Sequence, residues 1–171
     1  MSGIVALALG PLVSHYTATD QDYVLKLLRQ NIAENLETVF PRAKKGKPNQ
    51  KNKSAQIKGP DRIQVQSLDW ETSDVSQMPA VDLLIACDCI YNESLIEPLN
   101  STCAALCKLS QDREQKPTLC LVAQQLRSPE VFEAWLKSFD KKFWVWKIPD
   151  GLLDEGLREG SGFVVHVGVV R

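Results

Sequence analysis

The stretch AVDLLIACD, residues 80–88, constrains this chain more than any other. It is a continuous apolar run bounded by Pro79 and Asp88. A half-exposed strand alternates apolar and polar side chains, so an unbroken apolar run predicts a strand buried on both faces of a parallel sheet. Such a sheet needs helices packed on it, and helix and strand patterns alternate along the sequence.

SGIVALALGP reads as a short helix with Ser2 or Gly3 at its start and Gly10-Pro11 as its stop, and SHYTATD, residues 14–20, as a strand. In DYVLKLLRQNIAENLETVF, the residues Val24, Leu27, Leu28, Ile32, Leu36 and Val39 follow the spacing of an amphipathic helix that Pro41 ends. RIQVQSLDW has the alternation of a strand, and ESLIEPLNSTCAALCKL that of a helix bent or delayed by Pro98. TLCLVAQQ reads as another buried strand, and PEVFEAWLKSF as a helix with Pro129 in its first turn. KFWVWKIP and GFVVHVGVVR close the chain as two strands with no helix between them, hence an antiparallel hairpin on one sheet edge. Gly156, Gly160 and Gly162 precede a strand and not a helix, so they predict a hairpin loop and not a phosphate cradle. His15 and His166 each stand alone in a strand as structural or edge residues, and Trp135, Trp144 and Trp146 are assigned to the core. The expected fold is α/β, with a mostly parallel sheet carrying an antiparallel C-terminal edge hairpin.

A length of 171 residues with 44% apolar content supports one core, so residues 1–171 are expected to form a single domain. No apolar run approaches the roughly 18 residues that span a bilayer, and the first ten residues lack a secretory signal pattern, so no membrane is expected and the location is cytoplasmic or nuclear. The five cysteines are odd in number and lack framework spacing, which predicts free thiols and no metal site. Charge is segregated: residues 41–60 carry seven cations and no acid, leaving −8 on the remainder of a chain whose net charge is −1. That segment is rich in Pro, Gly, Lys and Asn and has no apolar period, so it reads as a disordered insert. It is a solvated loop, a salt-sensitive ribosome or RNA contact, or part of a nuclear localisation signal.

In an open α/β sheet, ligands gather at the carboxyl ends of the strands, which selects Asp20, Asp69-Trp70, Asp88 and Gln124-Gln125. Asp20 lies 17 residues after Gly3, close to the roughly 20-residue offset at which an acid meets ribose hydroxyls, but Asp20 or Asp22 would equally cap the next helix. Trp70 offers a flat face for a purine or a core side chain, and Asp69 an acceptor or a turn cap. Asp88 and Tyr91 have a plain alternative too, in which Asp88 or Asn92 caps a helix and Tyr91 is core.

Taken in order, GIVALALGP, YTATDQ, LLRQNIAEN, SLDWE and LLIACDCIYNESLI resemble the seven-strand S-adenosylmethionine methyltransferases of family 16, marked by D-x-x-Y after the fourth strand. Within them the chain is most similar to the fungal group that methylates ribosomal lysines. The resemblance implies a class I, Rossmann-like methyltransferase sheet and S-adenosyl-L-methionine as cofactor, with Gly3, Asp20, Asp69, Trp70 and Cys87 as cofactor-binding residues. Asp20 would take the ribose, Trp70 the adenine face, Asp69 the adenine amino group, and Cys87 would lie by the methionine portion. It implies Asp88 and Tyr91 as the catalytic pair that positions a substrate lysine, and a ribosomal protein as the partner of a monomeric enzyme. Relatives sharing D-x-x-Y modify chaperones and elongation factors as well. The family's first strand ends in E-x-G-x-G; here Gly3 represents only its last glycine, so the first strand is expected to be missing and the chain to be N-terminally truncated. A truncated chain could act as an inactive binding module, and a methyltransferase of small molecules or nucleic acid is the further alternative.

Overall fold

The computed structural model describes residues 3–40, 62–114 and 116–171. The basic stretch 41–60, with the insert and contact expected there, lies outside the described residues. The chain divides into two compact units, Met1–Asp69 and Trp70–Arg171.

In the first unit, α1 (Ile4–Leu9) leads to β1 (Tyr16–Asp20), α2 (Leu25–Val39) and β2 (Ile63–Ser67). β1 and β2 pair in parallel, Tyr16 opposite Ile63 and Asp20 opposite Ser67. Ala6, Ala18, Leu25, Leu28, Ile32 and Ile63 form their shared core. On α2 the buried stripe runs Leu25, Leu28, Ile32, with Leu36 packed beside it, so Leu25 takes the place given to Leu27. Leu27 is 57% exposed, because one residue before Leu28 is about 100° around the helix from the core-facing line.

The second unit holds β3 (Leu83–Cys87), α3 (Ile96–Glu114), β4 (Leu119–Gln125), α4 (Pro129–Asp140), β5 (Phe143–Lys147) and β6 (Phe163–Val170). Its sheet has the order β3-β4-β6-β5. β3 and β4 are parallel, whereas β6 runs antiparallel to both β4 and β5, so the closing hairpin sits on the edge as expected. Pro98 falls in the first turn of α3, preceded by a short 3-10 turn over Glu93–Leu95, so it delays the helix and does not bend it.

Side chains of α3, α4 and one face of the sheet make the second core, with Cys103, Cys107, Cys120, Trp135, Phe139 and Phe143 at its centre. Trp135 stacks on Phe139 at 5.0 Å, and Phe139 on Phe143 at 4.2 Å between ring centroids. All five cysteines are free. The N-terminal end of β3 is fastened to α3, where Ser110 Oγ donates to the Val81 carbonyl at 2.8 Å and accepts from the Val81 N–H at 3.0 Å.

Two expectations of burial fail on this sheet. Among the described residues β3 is the outer strand of this four-stranded sheet, and with Leu83 45% exposed and only Ala86 buried its apolar run is not covered on both faces. Trp144 and Trp146 are each 55% exposed and do not belong to the core, because β5 alternates: Phe143 enters the core while its two tryptophans point the other way. Trp144 carries the Arg171 guanidinium 3.8 Å above its ring. His15 is exposed, whereas His166 is buried against Phe132 and Trp135. Among the described residues, no helix is long and apolar enough to cross a membrane.

Candidate active site

β3 and β4 run in parallel with Cys87 opposite Ala123, so their carboxyl ends emerge side by side. The ladder continues one residue past the strand, since the Asp88 N–H donates to the Ala123 carbonyl at 2.7 Å. There the chain turns sharply. Asp88 has φ +52°, the one non-glycine residue in the left-handed region among the described residues. Aspartate tolerates that region better than most residues but at some cost, and such positions concentrate where function fixes a backbone.

Three groups hold the turn. The Asp88 carboxylate accepts from Gln124 Nε2 at 3.1 Å through Oδ1 and pairs with Arg127 Nη2 at 2.6 Å through Oδ2. Gln124, 3% exposed, also accepts from the Ile90 N–H at 3.1 Å and donates to the carbonyls of Ile90 at 2.9 Å and Gln125 at 3.0 Å. Its two amide hydrogens are thus shared among three acceptors. One buried side chain at the end of β4 spans the whole turn from Asp88 to Ile90.

Beyond it Tyr91 emerges 64% exposed, which removes the alternative of a core tyrosine. Asn92, and not Asp88, caps the 3-10 turn that follows, accepting from the Ser94 N–H at 3.1 Å. Tyr91 lines one wall of a cleft of about 100 Å³ shared with Gln125, Arg127, Ser128, Val131 and Phe132. Drug-sized sites run to roughly 300 Å³ and more, so this cleft has room for a narrow aliphatic arm. Cys87 is half-buried, and burial first, then the neighbouring Asp88 charge, push its thiol pKa up, which disfavours a nucleophilic thiolate. Among the described residues no cluster of His, Cys, Asp or Glu could hold a metal ion.

Gly3, Asp20 and Asp69 belong to the first unit, Trp70 and Cys87 to the second. Gly3 has φ +81°, and a Cβ there would stand 2.9 Å from Ile32 Cγ1 and 3.2 Å from Leu28 Cδ1, so conformation and packing alone demand glycine. Asp20 ends β1; its Oδ1 accepts from the Gln21 N–H at 2.9 Å, and its carbonyl accepts from the Leu68 N–H at 2.9 Å. No side-chain cap closes the 3-10 turn at Asp22–Val24 or the start of α2, so neither Asp20 nor Asp22 is the cap. Asp69 lies two residues past the end of β2. Trp70 is partly buried against the second core, and its carbonyl accepts from Thr102 Oγ1 at 3.1 Å.

Gln124 was marked by its place at a strand exit, but its role as the brace of the turn was not foreseen, and Arg127 was missed. The signal existed: in-register parallel neighbours bring their exit loops together, so a cation two residues past β4 meets an acid one residue past β3.

A family model described as "Lysine methyltransferase" matches residues 2–142. Ribosomal lysine N-methyltransferase 5 of Zygosaccharomyces rouxii is 31% identical over 156 residues, covering 80% of this chain and 47% of that protein. The protein of the same name from Vanderwaltozyma polyspora is 30% identical over 187 residues, covering 98% of this chain and 56% of its own length. The chain therefore spans about half the length of the curated relatives it matches. Among solved structures, a Clostridium thermocellum protein assigned as an rRNA methylase superposes with a TM-score of 0.57 at 13% identity, covering 99% of this chain and 82% of that one. At that identity the likeness speaks for the fold alone, a Rossmann-like methyltransferase sheet.

Proposed function

Because this chain belongs to the lysine methyltransferase family, we propose that it carries the acceptor site of an S-adenosylmethionine-dependent protein-lysine N-methyltransferase, with a ribosomal protein as substrate. The observation that carries the reading is the braced turn from Asp88 to Tyr91. An acceptor carboxylate and an exposed aromatic ring stand three residues apart, the ring on the wall of a cleft of about 100 Å³. The names of the fungal relatives support the ribosomal substrate.

Methylation of an amine needs the nitrogen free of one proton and its lone pair aimed at the methyl carbon. Asp88 accepts the amine's remaining N–H hydrogens and so turns the lone pair outward. Tyr91 lays an aromatic face along the arm, which also suits the cationic product. The proton leaves to water before attack, so no residue has to act as a strong base. S-adenosylmethionine, when bound, supplies a methyl group on a positively charged sulfur. Asp20 and Asp69 at the ends of β1 and β2 have the acceptor chemistry that ribose hydroxyls and an adenine amino group require, and Trp70 the flat face that suits a purine. Gly3 and Cys87 keep the cofactor assignments that the resemblance implies.

Steady-state kinetics test the assignment. Asp88→Ala and Tyr91→Phe are expected to lower turnover about a hundredfold and about tenfold respectively, with donor affinity kept within a factor of about two. Weakened donor binding with turnover intact would show the pair to be misassigned.

A further inference from the structure

We infer that Arg127 is a positioning residue of this same site: by pairing with Asp88 it keeps the carboxylate charge-balanced, so that Asp88 orients a neutral lysine amine without drawing a proton onto it. The inference rests on the reading of Asp88 as the acceptor for that amine.

A lone carboxylate beside an amine stabilises the ammonium form, which has no lone pair to give. The enzyme needs the hydrogen-bond acceptor and not the surplus negative charge. Arg127 resolves that conflict, since its Nη2 lies 2.6 Å from Asp88 Oδ2 while Gln124 occupies Oδ1 at 3.1 Å. A carboxylate has about four lone-pair directions, so each oxygen retains one for an incoming N–H.

Fold stability does not account for the pair. Its side chains are 54% and 42% exposed, and ion pairs of that exposure contribute little to folding. The base of the Arg127 arm is nonetheless fixed. It directly precedes Ser128, whose Oγ accepts from the Val131 N–H at 3.4 Å to cap α4 and donates to Glu130 at 3.0 Å.

In the second unit, charged and titratable groups stand on the elements that neighbour Asp88. Cys87 adjoins it, Tyr91 follows on the same turn, and Arg127 reaches it from the loop after β4. Glu130 on α4 is bonded to Ser128, and His166 on β6 stands behind Phe132 with rings 5.8 Å apart. Among these groups, Arg127 is the counter-charge paired with the carboxylate.

The test is the pH dependence of kcat for methyl transfer to unmethylated ribosomes, for the wild type, Arg127→Gln and Arg127→Lys. Removing the charge leaves Asp88 free to hold the substrate as ammonium, so the acid limb of Arg127→Gln is expected to move up by about one pH unit. Turnover at pH 7 then falls about tenfold and returns at higher pH, while Arg127→Lys keeps the wild-type limb. An unmoved limb, or a loss equal at every pH, would overturn the inference. A second measurement needs no turnover: NMR titration with n-butylammonium and with neutral n-pentanol. Arg127→Gln should tighten the ammonium severalfold and leave the alcohol unchanged; equal effects on both, or none on either, would overturn it as well. If the wild-type protein methylated no protein lysine at all, the lysine reading would fail, and the probe titration would still decide whether Arg127 screens Asp88.

Discussion

Replacing Gln124 by Leu removes the brace of the Asp88 turn while keeping the volume of the side chain. The amide satisfies the N–H and the carbonyl of Ile90, a residue 6% exposed, as well as Asp88 Oδ1. A buried backbone group left without a partner costs about 1 to 2 kcal/mol, so the two groups of Ile90 together cost about 2 to 4 kcal/mol. The added apolar surface of leucine returns roughly 1 kcal/mol, leaving a net destabilisation of about 2 kcal/mol. With an m-value of about 2 kcal/mol/M, the urea midpoint should fall by about 1 M. Circular dichroism read against urea for the wild type and Gln124→Leu measures this directly. A midpoint unchanged within about 0.2 M would refute the reasoning, since the turn would then not depend on the amide.

Three further perturbations read other parts of the molecule. Asp20→Ala should weaken S-adenosylmethionine binding roughly 10- to 100-fold by calorimetry while sparing turnover at saturating donor, the reverse of Asp88→Ala; an unchanged affinity would remove Asp20 from the cofactor set. Gly3→Ala forces an L side chain into φ +81° and against Ile32 Cγ1 at 2.9 Å, which should lower stability by about 1 to 3 kcal/mol in urea unfolding, and no loss would contradict the packing described. His166 has its pKa lowered, by burial first and by Lys147 second, so the unfolded chain binds the proton more readily than the folded one. Stability should therefore fall as pH drops below the ordinary value of 6.5, and His166→Phe should flatten that part of the profile; an equal fall in the variant would assign the dependence elsewhere.

Most elements were legible because their patterns are local. The apolar run of β3, the periodicity of α2, Pro129 at the head of α4 and the absence of a helix between β5 and β6 each specify an element within a few residues of sequence. What was not legible depended on neighbours. Leu27 and Leu25 both suit a helical stripe, and only the direction from which the core approaches α2 decides between them. Trp144 and Trp146 read as core by residue type, yet a strand's alternation had already given Phe143 to the core and turned them away. The burial expected for β3 needed cover on two faces, and residue type alone does not say which faces a neighbouring layer covers. At the site, Asp88 and Tyr91 were visible as a spacing, whereas Gln124 and Arg127 meet them only through the register of β3 with β4.

The central claim is that the Asp88 turn receives a protein lysine for methylation. Its most direct test is incubation of the protein with methyl-labelled S-adenosylmethionine and unmethylated ribosomes, followed by separation of protein from RNA and mapping of the labelled residue. The account predicts label on a lysine of a ribosomal protein, lost with Asp88→Ala. Label confined to RNA, or label on protein that persists undiminished in Asp88→Ala, would contradict it.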